Sequence, residues 1–513
     1  MFPRTFKEWI EDLFITRGEQ TSLVFLRDGR TESEMTYRDL DQYANGCKAA
    51  LLESGVSKGD RVVLFLNKSV FFVIAHLAIL KIGAIAVPLN PGFKKPEMDY
   101  LLRDAVPKLV IADPDKCDMV SQIVPHCRIM EVDTLKPYDE TAFFEKLEAD
   151  PVEMNVMPED PGLIIYTSGT TGHPKGAVLT HRNLVCDAQN IIGIWEIGPA
   201  DVLCHGLPLF HVHGLCFALH TALLAGAGVV MLDTFNPEIV AEVLAARDRQ
   251  LICSLFMAVP AMYAKLLDVV EAKHYNFDHI RLWTSGSAPL LVKDFQRISH
   301  VLGQQPVERE GMSETGMNFS NPLHAERKPG SIGLPLPGVQ ARIVDPKTFA
   351  DIPQGRIGEI WLKSASVMSG YWRKPKETSE SFEQGWFRTG DLGSVDGDGY
   401  YYLTDRIKHI IITGGENVSA REVENVINSF EGVAEAAVVG IPDEKWGEKV
   451  VAAVAAMPGH TLNTEDLRQY CKKELHNWKC PKRIVLVDAI PKNTMGKVLK
   501  DAVKAMFLDG NPP

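Results

Sequence analysis

One stretch constrains this chain more than any other: Tyr166–Thr167–Ser168–Gly169–Thr170–Thr171–Gly172–His173–Pro174–Lys175–Gly176. Pro161–Gly162–Leu163–Ile164–Ile165 before it reads as the run-up into a buried strand, and Ala177–Val178–Leu179–Thr180–His181 after it as another strand or a helix entry. Glycine tolerates positive φ, so closely spaced glycines let backbone N–H groups turn toward one point. Inward N–H groups, hydroxyls and one ammonium make an anion cradle, and phosphate is its natural guest. Pro174 stiffens the exit of the loop. The order is not that of the nucleotide-hydrolase P-loop, which needs Gly, four residues, then Gly-Lys-Ser/Thr. Here Lys175 comes three residues after Gly172 and is followed by Gly176. A glycine-rich loop alone would be read as a solvated turn; eleven residues in this order are far more specific.

The surroundings of the loop predict the architecture. Short apolar runs such as Arg61–Leu66 and Leu109–Ala112 alternate with helical stretches, the pattern of a doubly wound α/β sheet. A length of 513 residues exceeds one ordinary core and predicts at least two domains. The longest apolar stretch, Val70 to Val87, is broken by His76 and Lys81 and predicts a buried helix, not a membrane span. Charges near the N-terminus argue against a secretory signal. A net charge of −12 argues against a nucleic-acid scaffold, though not against a nucleotide substrate. Nine cysteines without a C-x-x-C pair predict reduced thiols and a cytoplasmic location. His211 and His213 stand at metal-ligand spacing, but no further Cys/His cluster lies near them, so zinc is not expected.

The loop resembles the signature loop of the adenylate-forming superfamily, which holds acyl-CoA synthetases, luciferase and the adenylation domains of nonribosomal peptide synthetases. The resemblance runs over nearly the whole chain. It implies an AMP-forming acyl-CoA synthetase with ATP, Mg2+ and coenzyme A as co-reactants. It also implies a large N-terminal domain with doubly wound sheets over 1–404, a hinge over 405–409 and a small mobile α+β domain over 410–513. By the same resemblance Thr167, Ser168, Gly169, Thr170, Thr171 and Lys175 bind the phosphates, Ser313 adds a hydrogen bond, and Glu314 holds Mg2+. Ser287 and Ala288 lie against adenine, Asp391 accepts the ribose hydroxyls, and Arg406 makes a second ribose or phosphate contact. Lys408 is the hinge residue, Gly414, Gly415 and Glu416 wall the CoA channel, and Lys497 is the catalytic lysine. Lys492 and Lys500 beside it read as solvated. His211 lines the acyl pocket and shields the reacting carboxylate, with His213 as packing. Val212, Met257, Ala258, Met312 and Met317 are the remaining pocket walls, with Cys216 beside them. The chain departs from the pattern at Glu310, where the family carries an aromatic residue that stacks on adenine.

The chemistry implied needs no enzyme nucleophile. A carboxylate attacks the α-phosphate of ATP, giving an acyl-adenylate whose leaving group is AMP; a thiol then takes the acyl group. Two anions must approach, so the site has to supply positive charge and position. The substrate is read from the pocket. Gly311–Asn318 and Gly333–Gly338 look most like malonyl-CoA synthetases, which need a cation for the second carboxylate. In those enzymes an arginine follows the turn that corresponds to Val259–Tyr263; here Ala264–Lys265 stand there, and the other walls are apolar. The expectation is therefore a short- to medium-chain or cyclic monocarboxylic acid. Malonate is the first alternative. An enzyme loading a free-standing carrier protein and a non-catalytic ligand-binding relative are the others. The expected partners are the acid, ATP and CoA, with no nucleic acid and no membrane span; a homodimer stays open.

Overall fold

A computed structural model describes residues 4–141, 144–167, 173–493 and 498–508. Ser168, Gly169, Thr170, Thr171 and Lys497 lie outside the described residues. Among the described residues four sheets form. The first has seven strands in the order Gly370–Tyr371, Lys175–Thr180, Pro161–Thr167, Ile85–Pro88, Arg61–Phe65, Leu109–Ala112, Arg128–Glu131. Its inner and far strands are parallel, and the hairpin carrying the loop closes one edge antiparallel. The second has nine strands in the order Leu334–Pro335, Gly316–Ser320, Val307–Met312, Leu282–Ser285, Leu255–Ala258, Val202–His205, Gly228–Leu232, Thr21–Arg27, Arg30–Thr36.

The two sheets share one core, with helices between and around them. The helix Val70–Ile82 is buried along every residue, as its unbroken apolar run requires. Ser69 caps its start and Gly83, at φ +75°, ends it. Its two polar residues are both partnered. His76 Nε2 lies 2.8 Å from His220 Nε2, and Lys81 Nζ pairs with Asp41 at 2.7 Å and Glu11 at 3.4 Å.

A third, antiparallel sheet holds Gln340–Val344, Gly358–Lys363, Trp386–Val395, Phe382–Glu383 and Tyr401–Arg406. The fourth is built wholly after residue 409, from Ile410–Thr413, Glu416–Ser419, Val433–Asp443, Gly447–Ala456 and Arg483–Val487. Along Gly447–Ala456 the side chains alternate between two small cores. Val450, Ala452 and Val454 pack with Val423, Ile427 and Leu467, while Val451, Ala453 and Ala455 pack with Val503 and Phe507. This is the period of two that a strand imposes when both its faces are covered. All nine cysteines are free, and among the described residues no helix is long and apolar enough to cross a membrane.

Candidate active site

The signature loop sits at the tip of a hairpin. Pro161–Thr167 and Lys175–Thr180 pair antiparallel, with Thr167 opposite Lys175 as the last pair before the tip. Thr167 Oγ1 donates to Glu314 Oε1 at 3.2 Å, and Tyr371 Oη donates to the same oxygen at 3.1 Å. Lys175 Nζ stands 5.1 Å from the centre of the Tyr371 ring. Glu314, only 8% exposed, lies with Ser313 in the turn joining Val307–Met312 to Gly316–Ser320. Thus Thr167, Lys175, Ser313 and Glu314, distant in sequence, meet at one place. Tyr371 was missed in the sequence. Its place comes from the two-residue strand Gly370–Tyr371 pairing with Ala177–Val178, a long-range contact without a local signal.

The second group lies on the third sheet. Asp391 and Arg406 face each other across an antiparallel pair, and Arg406 Nε meets Asp391 Oδ1 at 2.8 Å. Asp391 is therefore a strand residue. The charge of Asp391 is the main cause that holds Arg406 above the ordinary arginine range, with Glu314 and Glu310 adding to it. Glu310 Oε2 accepts from Asn318 Nδ2 at 3.0 Å. Burial, then the charge of Asp391, pushes the Glu310 carboxyl up to about 7. Lys408 sits in the 3-10 turn Ile407–His409 directly after Arg406, where burial and the Arg406 charge lower its pKa.

The third group lies on residues 207–220, on Leu255–Ala258 and in the turn after Leu282–Ser285. Leu207–His211 runs into a π-helix, His213–His220, at a close approach that only glycine permits. A Cβ at Gly214 would stand 2.1 Å from the Pro208 carbonyl oxygen. His213 Nδ1 lies 3.1 Å from Ser287 Oγ, so His213 is joined to the Ser287–Ala288 turn and is more than packing. His211 is half-buried, and burial lowers its pKa to about 4, leaving a neutral imidazole. Met257, Ala258 and Met317 are buried, while Val212 and Met312 are half-buried against the same core.

Arg309 packs among these residues too, beside Gly286 and Phe217, and the sequence reading missed it. It is 2% exposed, and none of its three guanidinium nitrogens has a hydrogen-bond partner among the described residues. Its guanidinium lies 5.1 Å from the Phe217 ring centre and against Gly286, whose N–H donates to Ala258. Burial lowers its pKa to about 10, opposed by Glu310 and Asp187, so it stays a cation at neutral pH. Lys265, the cation considered from sequence, is exposed on the helix Pro260–Ala272. The available signal was the run Glu308–Arg309–Glu310 inside a strand that the flanking apolar residues place in the interior.

After residue 409, Gly414 and Gly415, at φ +61° and +84°, form the tip of the hairpin Ile410–Thr413/Glu416–Ser419, with Glu416 exposed. Gly414 packs against Trp446, where a Cβ would stand 2.8 Å from the ring. Lys492 and Lys500 are not free in solvent, contrary to expectation: Lys492 pairs with Glu435 at 2.7 Å, and Lys500 pairs with Glu424 and donates to the Val438 carbonyl at 2.8 Å. This small unit touches the rest through Asp405, which accepts from Ser419 Oγ at 2.9 Å and Arg421 N at 3.0 Å. Lys293 Nζ donates to the carbonyls of Asn428 and Val433, each at 3.3 Å.

Fold and sequence relationships together define an AMP-forming acyl-CoA synthetase of the adenylate-forming superfamily. The chain belongs to the AMP-binding enzyme family: that family's model matches residues 16–372, and the AMP-binding enzyme C-terminal domain matches 422–497. It is 34% identical to a mitochondrial malonate–CoA ligase of Bos taurus, over 96% of this chain and 89% of the relative. It is 32% identical to the long-chain-fatty-acid–CoA ligase FadD13 of Mycobacterium tuberculosis, over 93% and 94%. MatB from Rhodopseudomonas palustris with ATP bound superposes with a TM-score of 0.91 at 35% identity, covering 99% of both chains. The apo form of the same protein gives 0.79 at the same identity and coverage.

Proposed function

We propose that this enzyme joins a small dicarboxylic acid, malonate foremost, to coenzyme A through an acyl-adenylate. The observation that carries the choice of acid is Arg309, a buried cation without a hydrogen-bond partner among the described residues. An unpaired buried charge is costly, and a guanidinium holds a carboxylate through two parallel hydrogen bonds. The second carboxylate of a short diacid would pair with Arg309 and leave the first free to react. We favour it over the monocarboxylic acid expected from the Met-rich walls, which the family also accommodates. The resemblance to malonate–CoA ligases supports the choice, and FadD13 keeps the monocarboxylic reading in the test.

In this reading Thr167, Lys175, the loop between them and Ser313 hold the phosphates of ATP. Asp391, aligned by Arg406, accepts the ribose hydroxyls. Ser287 and Ala288 offer a small-residue floor to the base. Glu314 fits a Mg2+ site, because it is a nearly buried carboxylate beside hydroxyl groups and Mg2+ takes one or two carboxylates with phosphate oxygens. Bound there, Mg2+ would neutralise phosphate charge as the carboxylate approaches. His211, neutral, shields the reacting carboxylate without adding charge. The carboxylate oxygen attacks the α-phosphorus and pyrophosphate leaves. The CoA thiol, losing its proton, then attacks the acyl carbon and AMP leaves. Lys497 would stabilise the first transition state. Residues 1–404 carry the ATP and acid sites, 405–409 the hinge, and 410–513 Lys497 and the CoA-channel loop of Gly414, Gly415 and Glu416. The closer match to the ATP-bound than to the apo neighbour supports an arrangement of the two units poised for adenylation. Free cysteines throughout fit a reducing compartment, cytoplasm or organelle matrix.

The test is AMP release with ATP, Mg2+ and CoA over a panel of malonate, succinate, butyrate, hexanoate and benzoate. Malonate should give the highest kcat/KM; a monocarboxylate at the top would overturn the choice of acid. Replacing CoA by a carrier protein tests the remaining alternative.

A further inference from the structure

The helix Lys95–Ala105 lies beside the hairpin that carries the phosphate loop. Two of its residues, Tyr100 and Asp104, stand four apart and so share one face. Each holds a different arm of the hairpin. The Tyr100 ring stacks on the His173 imidazole, with centroids 4.8 Å apart and planes 15° from parallel. Its hydroxyl donates to the Pro174 carbonyl at 3.0 Å. The Asp104 carboxylate accepts from Tyr166 Oη at 2.8 Å and pairs with Lys374 at 3.4 Å. The Asp104 carbonyl accepts from Trp372 Nε1 at 3.1 Å. Tyr166 is the residue before Thr167 on the incoming arm, while His173 and Pro174 come just before Lys175 on the outgoing one.

We infer that Tyr100 and Asp104 are positioning residues that brace both ends of the phosphate loop and so preset its span for ATP. The inference rests on the proposal that this loop binds the phosphates. The strand pairing of the hairpin is complete without the brace, since Thr167 already opposes Lys175 in the ladder. What the brace adds is the direction of the two arms. The fixed Pro174 carbonyl sets the plane of the peptide that carries the Lys175 N–H. The Tyr166 phenol is held as a donor, because burial and the Asp104 charge push its pKa far up. A site whose flanking arms are already fixed loses less conformational freedom on binding its ligand, and that difference appears as affinity.

The experiment measures MgATP binding by calorimetry, with KM for ATP and for the acid, in wild type and in Tyr100→Phe, His173→Ala, His173→Phe and Asp104→Asn. Tyr100→Phe keeps the ring and removes one hydrogen bond, so ATP should bind roughly fivefold more weakly. His173→Ala should weaken ATP binding similarly, and His173→Phe, which restores a stacking partner, should recover it. KM for the acid and the melting temperature should hold in all four. Wild type that binds ATP while the variants bind within about twofold of it overturns the brace alone. ATP and acid KM rising together with a falling melting temperature also overturns it, since that is a general structural defect. Wild type that binds no ATP overturns the phosphate-loop proposal itself.

Discussion

The guanidinium carbon of Arg309 stands 2.6 Å from the point that a Cβ on residue 286 would occupy. Gly286 and Arg309 therefore fit as one unit, the missing side chain making room for the buried cation. Gly286→Ala has to displace the guanidinium, because the backbone that would carry the new methyl is held by its hydrogen bond to Ala258. If Arg309 reads the second carboxylate, KM for malonate should rise roughly ten- to a hundredfold, the range for one hydrogen bond to a charged group. An unchanged KM for malonate would remove Arg309 from the acid site.

Arg309→Met separates recognition from folding. The guanidinium makes no hydrogen bond among the described residues, so an apolar side chain of similar length takes its place without breaking an ion pair. The melting temperature should hold or rise while malonate activity is lost and hexanoate becomes the better acid. A variant that unfolds, or one that still prefers malonate, would contradict this assignment.

These two residues mark the limit of what the sequence discloses. The doubly wound sheets, the buried helix Val70–Ile82 and the hairpin around the loop follow from periodicity and caps, which are local. The grouping of Thr167, Lys175 and Glu314 was readable only through the resemblance, since it is made by strand pairings over long sequence distances. Lys265 drew attention as a cation near apolar wall residues. Yet helical periodicity puts it on the outer face, next to exposed Ala264. Arg309 went unread because its neighbours Glu308 and Glu310 suggest a solvated run. The position of Val307–Met312 between Leu282–Ser285 and Gly316–Ser320 buries it.

The pair His76–His220 predicts acid sensitivity. With the two Nε2 atoms 2.8 Å apart, one ring donates and the other accepts, so both stay neutral. Burial lowers His76 to about 3 from 6.5, while His220 is held well below 6.5 by burial, His76 and His181. Phe6 packs against His220, its ring centre 4.6 Å away and tilted by 56°, and adds no charge. A folded-state pKa below the unfolded one means that the unfolded chain takes up protons first. This contribution is complete above 6.5 and is lost as pH falls below it. The double variant His76→Leu/His220→Leu should lose less stability between pH 7 and 5 than wild type, the slopes differing by up to about 1.4 kcal/mol per pH unit for each suppressed protonation. Urea unfolding at the two pH values measures this; equal losses would rule it out.

Lys497→Ala should separate the half-reactions. Pyrophosphate release should fall by orders of magnitude if Lys497 supplies charge to the first transition state, as proposed. Thioester formation from supplied malonyl-adenylate should continue near the wild-type rate. An equal fall in both, in a folded variant, would deny Lys497 its role.

Lys408 offers the matching experiment from the other side. It occupies the 3-10 turn between Arg406, which is bound to Asp391, and the first strand of the small unit. Asp405, three residues earlier, already fixes the orientation of the helix Ala420–Asn428 by accepting from Ser419 and Arg421. In the proposed reading this turn is the hinge between the two units. Proline locks φ near −65°, a value a 3-10 turn already has, so Lys408→Pro should hold the present arrangement and oppose others. If that arrangement serves adenylation, pyrophosphate release should persist within a few-fold while transfer of the acyl group to CoA falls steeply. Single-turnover measurements of each half-reaction decide the matter. Both steps at wild-type rates would show that the chain does not turn at residue 408, and loss of adenylation with transfer intact would show that the arrangement described serves the thiol step instead.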